Sequence, residues 1–367
     1  MIQPLTPLSD FAGKVQPRAA SRRTPNRKHR AVKGAPARSA RACGLCDCGY
    51  AFRRSNAPAD PLAHTFSIVA RDPETGEMGV AVQSHWFSVG SIVTWAEAGV
   101  GAIATRSFVD PGYGVHGLER MRAGEAAPDV LAALVAADPG RDGRQVAMID
   151  RQGRVAAHTG AVAIQAAGHH VGRNYSVQAN LMENDTVWPA MAEAFEHASG
   201  DLADRLLAAL EAGQRAGGDI RGRQSAAILI VKAESTGRPW AGADRVFDLR
   251  VEDSPEPIVE LRRLVQRQRA YTHANHGDEL MTTGEVEAAL AEYRRAGELA
   301  PDIVELPFWQ AVTLASIGRE AEARPIFQAV FAKEPKWAEL VPRLPAAKLL
   351  PDDPALIKRI VDLAPGR

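Results

Sequence analysis

The stretch Thr65-Phe-Ser-Ile-Val-Ala-Arg-Asp-Pro-Glu-Thr-Gly-Glu-Met-Gly-Val-Ala-Val82 decides how the fold begins. Its first residues are β-formers, and a period of two sets Phe66, Ile68 and Ala70 on one face. Residues 71–76 are turn chemistry, because Pro73 presets φ and Gly76 tolerates a positive φ. Residues 78–82 return as an apolar partner, so 65–84 reads as a β-hairpin. Further along, 91–96 and 100–105 read as short β runs split by Gly99. Residues 118–121 with 130–137 read as a helical pair stopped by Asp138-Pro139-Gly140. Residues 145–150 and 155–159 read as a second hairpin, 186–198 and 202–213 as amphipathic helices, and 224–232 and 246–251 as closing strands. His169 and His170 fall in an expected loop. Hairpins, packed helices and then strands again predict an α+β layered domain over 65–255, not an alternating parallel sheet.

The whole chain has 367 residues, enough for two domains. It is 46% hydrophobic with Lys+Arg and Asp+Glu balanced at 44 each, which supports a packed core and argues against a nucleic-acid surface. No run approaches the ~18–20 apolar residues of a membrane span. Residues 1–64 differ: they carry twelve Lys or Arg against only Asp10, Asp47 and Asp60 as acids, and lack any sustained period. That composition predicts a disordered basic leader, read as solvated or as a start assigned too far upstream. It has no apolar core of an export signal, so a cytoplasmic location is expected, with no nucleic-acid and no membrane partner.

All three cysteines, Cys43, Cys46 and Cys48, lie in this leader. Three thiolates with His29 or His64 would make an irregular zinc site with no second pair, so no metal and no cofactor is expected. The remainder, free of cysteine, needs no disulfide.

Several separated motifs make residues 65–255 resemble the bacterial "domain of unknown function 1028" family. They are the opening Thr65-Phe-Ser-Ile-Val, Gly-Val-Gly-Ala-Ile-Ala-Thr-Arg-Ser-Phe-Val-Asp-Pro-Gly-Tyr at 99–113, Gln178-Ala-Asn180 and Gly217-Gly-Asp-Ile-Arg-Gly-Arg-Gln-Ser225. That family is grouped with the N-terminal-nucleophile hydrolases. The resemblance implies a four-layer αββα sandwich with the nucleophile at the start of the first strand.

Thr65 suits that role chemically. A threonine at a chain terminus carries its nucleophilic hydroxyl beside its own general base, an α-amine titrating at about 7.7–8.0. The competing reading is a β-favouring strand residue. Here His64 precedes it, so a terminal amine requires cleavage at His64–Thr65, and Leu62 and His64 do not fit a signal-peptidase site. Asn180 is expected to stabilise an oxyanion or to cap a turn. The 217–225 loop brings Asp219, assigned with Thr65 and Asn180 as catalytic, and Arg221, which pairs with Asp219 or binds a substrate carboxylate. Gln224 and Ser225 are expected to donate hydrogen bonds to substrate, and Thr105 and Arg106 to line the same cleft. No Gly-x-Ser-x-Gly elbow offers an alternative nucleophile.

Downstream, Gly284 and Gly318, Ala289 and Ala323, Tyr293 and Phe327, and Pro301 and Pro335 stand 34 residues apart, with Gly277 and Ala311 at another small site. This is the tetratricopeptide period. It predicts a helical linker at 256–269, a tetratricopeptide-like domain at 270–367 and a capping helix over 348–363. Such helices pack, self-associate or bind a protein partner. The expected function is therefore an amidohydrolase acting on a small amide or peptide bond. The alternative is a non-catalytic scaffold that engages a partner or a second copy through its repeats.

Overall fold

The hairpin expected from 65–84 is the centre of the first sheet. In the computed structural model, which describes residues 62–366, β1 (Leu62–Ala63) precedes β2 (Thr65–Arg71), and β2 pairs antiparallel with β3 (Met78–Ser84). Asp72 Oδ1 accepts the main-chain N–H of Glu74 and Thr75, and Gly76 takes φ +75° to close the turn. The basic leader up to residue 61, with its three cysteines, lies outside the described residues.

The chain continues through a single helical turn, α1 (Gly90–Val93), into β4 (Thr94–Glu97) and β5 (Gly101–Phe108). The β run expected at 91–96 is thus helical in its first half. Then come α2 (Gly112–Arg122), α3 (Ala127–Ala137), β6 (Arg144–Asp150), β7 (Val155–Thr159), β8 (Gly168–Gly172) and β9 (Tyr175–Ala179). His169 and His170 lie on strand β8, not in a loop; the glycines and histidines of GHHVG hide an edge strand that the β9 ladder stabilises. Next are α4 (Val187–His197), α5 (Leu202–Arg215), β10 (Ser225–Val231) and β11 (Arg245–Val251).

Two antiparallel sheets result. One has six strands in the order β11-β10-β3-β2-β9-β8; the other has five, β1-β5-β6-β7 with β4 also on β5. β4 and β1 share the edge of β5 that faces away from β6, β4 along Gly101–Ala104 and β1 at Ser107 and Phe108. Alternation along each strand sorts the core into three apolar clusters. Phe66, Ile68 and Ala70 pack with α4 and α5, while Val69, Val80 and Val82 meet Ala102, Ala104, Ala147 and Ile149 of the other sheet. Ile103, Val146 and Met148 pack under α2 and α3. Each fully buried Phe, Ile or Leu contributes about 1.5–3 kcal/mol, so these faces hold the sheets in register.

The C-terminal region is helical: α6 (Pro257–Thr283), α7 (Val286–Leu299), α8 (Glu305–Ser316), α9 (Glu320–Lys333) and α10 (Pro354–Val361). The expected linker, 256–269, is the first half of α6. Its Ile258, Leu261 and Val265 complete the cluster over the six-stranded sheet, and Arg269 pairs with Asp201 and Asp204 at the start of α5. The 34-residue sequence period has a structural counterpart. α7 and α9 begin and end 34 residues apart, and Gly284 and Gly318 both sit at φ +81° before them, where side chains are strained. The expected capping helix is shorter than 348–363: it starts at Pro354, after Asp353 accepts the N–H of Ala355 and Leu356. Among the described residues no helix is long and apolar enough to cross a membrane.

Candidate active site

Polar side chains gather where β2 begins. Phe66 and Ile68 face the helices, so Thr65 and Ser67 face the other sheet. Register sets Thr65 opposite Ser84 and Ser84 opposite Ser225, a row of three buried hydroxyls across β2, β3 and β10. The Thr65 hydroxyl oxygen is buried without a hydrogen-bond partner among the described residues. Buried polar atoms are seldom left in that state, and where they are, function is a common reason.

The peptide just before Thr65 is held by two donors. The His64 carbonyl oxygen accepts from Ser84 Oγ at 2.7 Å and from Arg221 Nη2 at 2.7 Å. Arg221 is itself fixed by Asp219, whose Oδ1 accepts Nε at 3.0 Å and whose Oδ2 accepts Nη2 at 2.7 Å. Asp219 also accepts the N–H of Arg221 and of His85. Gly217 and Gly218, at φ +128° and +69°, bend the chain so that this buried carboxylate reaches its partners. Asp219 and Arg221 are thus brought to Thr65, with Asp219 acting through Arg221.

Asn180 follows β9 and receives His64 Nδ1 on its Oδ1 at 2.6 Å. Its Nδ2 donates to Gln145 Oε1 at 2.8 Å, while Gln145 Nε2 donates to Thr159 Oγ1, Gly168 O and Ala179 O. Two backbone carbonyls at Nε2 fix the Gln145 amide, and that fixes Asn180. The His64 proton must therefore reside on Nδ1, leaving Nε2 as a lone pair in the neutral ring. Burial pushes the His64 pKa below its ordinary 6.5, and nearby Arg221 lowers it too, against the opposing hydrogen bond to Asn180. Asn180 N–H also donates to Thr65 O at 3.1 Å. With its Nδ2 engaged by Gln145, Asn180 positions His64 in this structure. The donors at the carbonyl are Ser84 and Arg221.

Arg106 lies on the face of β5 turned toward the other sheet, fully buried, with Nη1 donating to Gln178 O at 3.0 Å. Thr105 points the opposite way, on the Ile103 and Val146 side, and its hydroxyl donates to Asp110 O at 3.2 Å. Thr105 and Arg106 therefore do not line one cleft, because adjacent strand residues face opposite ways. Gln224 similarly alternates away from Ser225 and donates to Asp253. Ser225 shares the Thr65 face, but its hydroxyl donates to Trp86 O and accepts from Val89 N–H, bracing the loop after β3.

Sequence reading missed Ser84, Gln145 and the structured role of His64, and gave Gln178 no role beyond its motif. A usable signal was present for Ser67: with Phe66 and Ile68 on one buried face, a small polar residue at the alternate position of a central strand enters the layer between sheets. Gln145 is the second residue of β6, after Arg144, and Ser84 ends β3, after Gln83, and neither carries a local mark of its partners.

Residues 65–261 match a family of unknown function, DUF1028. The crystal structure of a DUF1028 protein from Silicibacter pomeroyi is similar at 31% identity with a TM-score of 0.50, covering 56% of this chain and 85% of that one. No curated protein is significantly similar to the chain.

Proposed function

We propose, for a chain that belongs to the DUF1028 family, that it is an amidohydrolase of the N-terminal-nucleophile kind, activated by cleavage of its own His64–Thr65 bond. We read the helices, two sheets and helices of residues 65–255 as the four-layer αββα sandwich of such enzymes. The observation that carries the reading is the pair of donors, Ser84 and Arg221, on the carbonyl of the residue before a buried, unpartnered threonine hydroxyl. Donors aimed at a carbonyl oxygen stabilise the oxyanion that forms when a nucleophile adds to its carbon.

In the activating step Thr65 Oγ adds to the His64 carbonyl carbon. The C–N bond then breaks, leaving an ester on Oγ, and the hydroxyl proton ends on the freed α-amine. Water hydrolyses the ester, releasing a chain that ends in the His64 carboxylate and one that begins at Thr65. In turnover the same hydroxyl attacks a small amide or peptide bond with the α-amine as base. Asp219 serves by fixing Arg221, and Asn180 by fixing the start of β2.

The helical region we read as tetratricopeptide-like. Its groove of about 500 Å³, lined by Met281, Tyr293, Trp309, Val312 and Leu349 among others, supports the second reading, a scaffold that holds a peptide partner. Intact mass and N-terminal sequencing of the protein from its host separate the two. A chain beginning at Thr65 whose amidase activity disappears in Thr65→Ala supports the enzyme. A chain that retains His64 refutes it.

A further inference from the structure

The activating step makes no use of Arg106. Arg106 is fully buried between the sheets, and among the described residues it has no carboxylate partner. Nη1 donates to Gln178 O at 3.0 Å, and the Gln178 amide, oriented to suit its neighbours, offers its oxygen to Nη2 at 2.6 Å and to Ser67 Oγ at 3.0 Å. Nε has no acceptor. A guanidinium does not give up its proton, and a buried charge satisfied only by neutral acceptors carries a large desolvation cost. Among the described residues Thr65 Oγ1 is also buried without a partner.

Arg106 and Ser107 fall where the edge of β5 passes from β4 to β1, since β4 ends its pairing at Ala104 and β1 begins at Ser107. Residues 62–64 are the acyl side of the bond before Thr65, and Ala63 pairs with Ser107 beside Arg106. Their departure after cleavage uncovers this corner. Gln178, which holds the guanidinium, pairs with Ser67, two residues along β2 from Thr65 and so about 7 Å from the nucleophile.

We infer that Arg106 is the recognition site for a carboxylate on the acyl part of the substrate, some four bonds from the scissile carbonyl, so that the preferred substrates are amides of short dicarboxylic acids or of acyl groups ending in a carboxylate. This rests on the proposed exposure of Thr65 and names the substrate class for it. Nε and Nη2 supply a fork suited to bidentate carboxylate binding. A neutral acyl group in the same place leaves the cation unpaired.

The test uses the full chain, with processing at Thr65 established by mass. Succinyl, glutaryl and adipoyl p-nitroanilides are compared with their methyl esters, which differ only in the charge. The expected result is a kcat/KM at least roughly tenfold higher for one or more acids than for the matching ester. In Arg106→Gln that ratio should fall to about one, and a ratio that stays as in wild type overturns the inference. If Arg106→Gln does not fold, the wild-type ratio decides alone. A chain that never begins at Thr65 defeats the enzyme reading and this inference with it. A processed chain that hydrolyses acids and esters equally, or favours esters, overturns the inference and leaves the enzyme reading standing.

Discussion

Ser84→Ala isolates the contribution of a single hydroxyl. Ser84 is fully buried, and its Oγ donates to the His64 carbonyl at 2.7 Å. Alanine removes that donor and leaves the β3 ladder intact, because the main-chain pairing with Thr65 and Ser225 does not involve the side chain. In the ground state the loss is one neutral hydrogen bond, about 1 kcal/mol. Spread over some 300 ordered residues, that lowers the thermal midpoint by only about 2 °C. At the tetrahedral intermediate the same oxygen carries full negative charge, and removal of one such donor costs about 3–4 kcal/mol of barrier. Arg221 remains, held by Asp219, so some cleavage persists.

The expected outcome is a cleavage rate about 150- to 900-fold below wild type in a protein that melts almost where wild type does. The assay is a mass-spectrometric time course for the chain beginning at Thr65, with circular dichroism melting in parallel. Cleavage within about threefold of wild type would refute the oxyanion role of Ser84. So would a fall in stability large enough to explain the slower rate. A structural serine loses stability and rate together, whereas an oxyanion donor loses rate.

Two more outcomes follow from other parts of the molecule. Burial depresses the His64 pKa below 6.5, so the neutral ring contributes stability that is complete above the unfolded value and lost as pH falls through the folded one. In a full-length Thr65→Ala chain, which cannot cleave, the thermal midpoint should therefore drop on acidification from about pH 7.5 to 5, and drop less when His64→Gln is added. His169, depressed by its own burial, adds a component of the same sign that the glutamine leaves in place. An unchanged slope would show that His64 is not buried as described. In the helical region a Cβ at Gly277 would lie 2.7 Å from the Tyr293 ring, so Gly277→Ala should destabilise α6 against α7 by about 1–3 kcal/mol, read as loss of a late thermal or denaturant transition. A neutral result would mean that the two helices have room to separate.

Much of the fold was legible along the chain because it rests on local patterns. Alternation in 65–70 and 78–82 marks a hairpin whichever neighbours it meets, and Pro73 and Gly76 define its turn without help. The 34-residue period likewise survives in the matched ends of α7 and α9 and in the paired positive φ of Gly284 and Gly318. Where the reading failed, the local signal opposed the final state. Residues 168–172 look like a loop because glycine and histidine are poor β-formers, and only hydrogen bonding to β9 makes them a strand.

The site divides along the same line. Sequence alone marked Thr65 as a hydroxyl opening a buried strand, and marked Asp219 with Arg221 as a polar cluster on a glycine bend. It also placed Asn180 and Arg106 within motifs. What it could not decide was which way each side chain faces and what it meets across the chain. Thr105 and Arg106 are neighbours in sequence yet lie on opposite faces of β5. Ser84, 20 positions from His64, and Arg221, 157 positions away, meet on one carbonyl oxygen. The His64 proton is assigned only through Asn180 and Gln145. Local propensity acts between residues a few positions apart, whereas a hydrogen bond acts over about 3 Å in space, and only strand register and sheet packing bring such distant residues within that range.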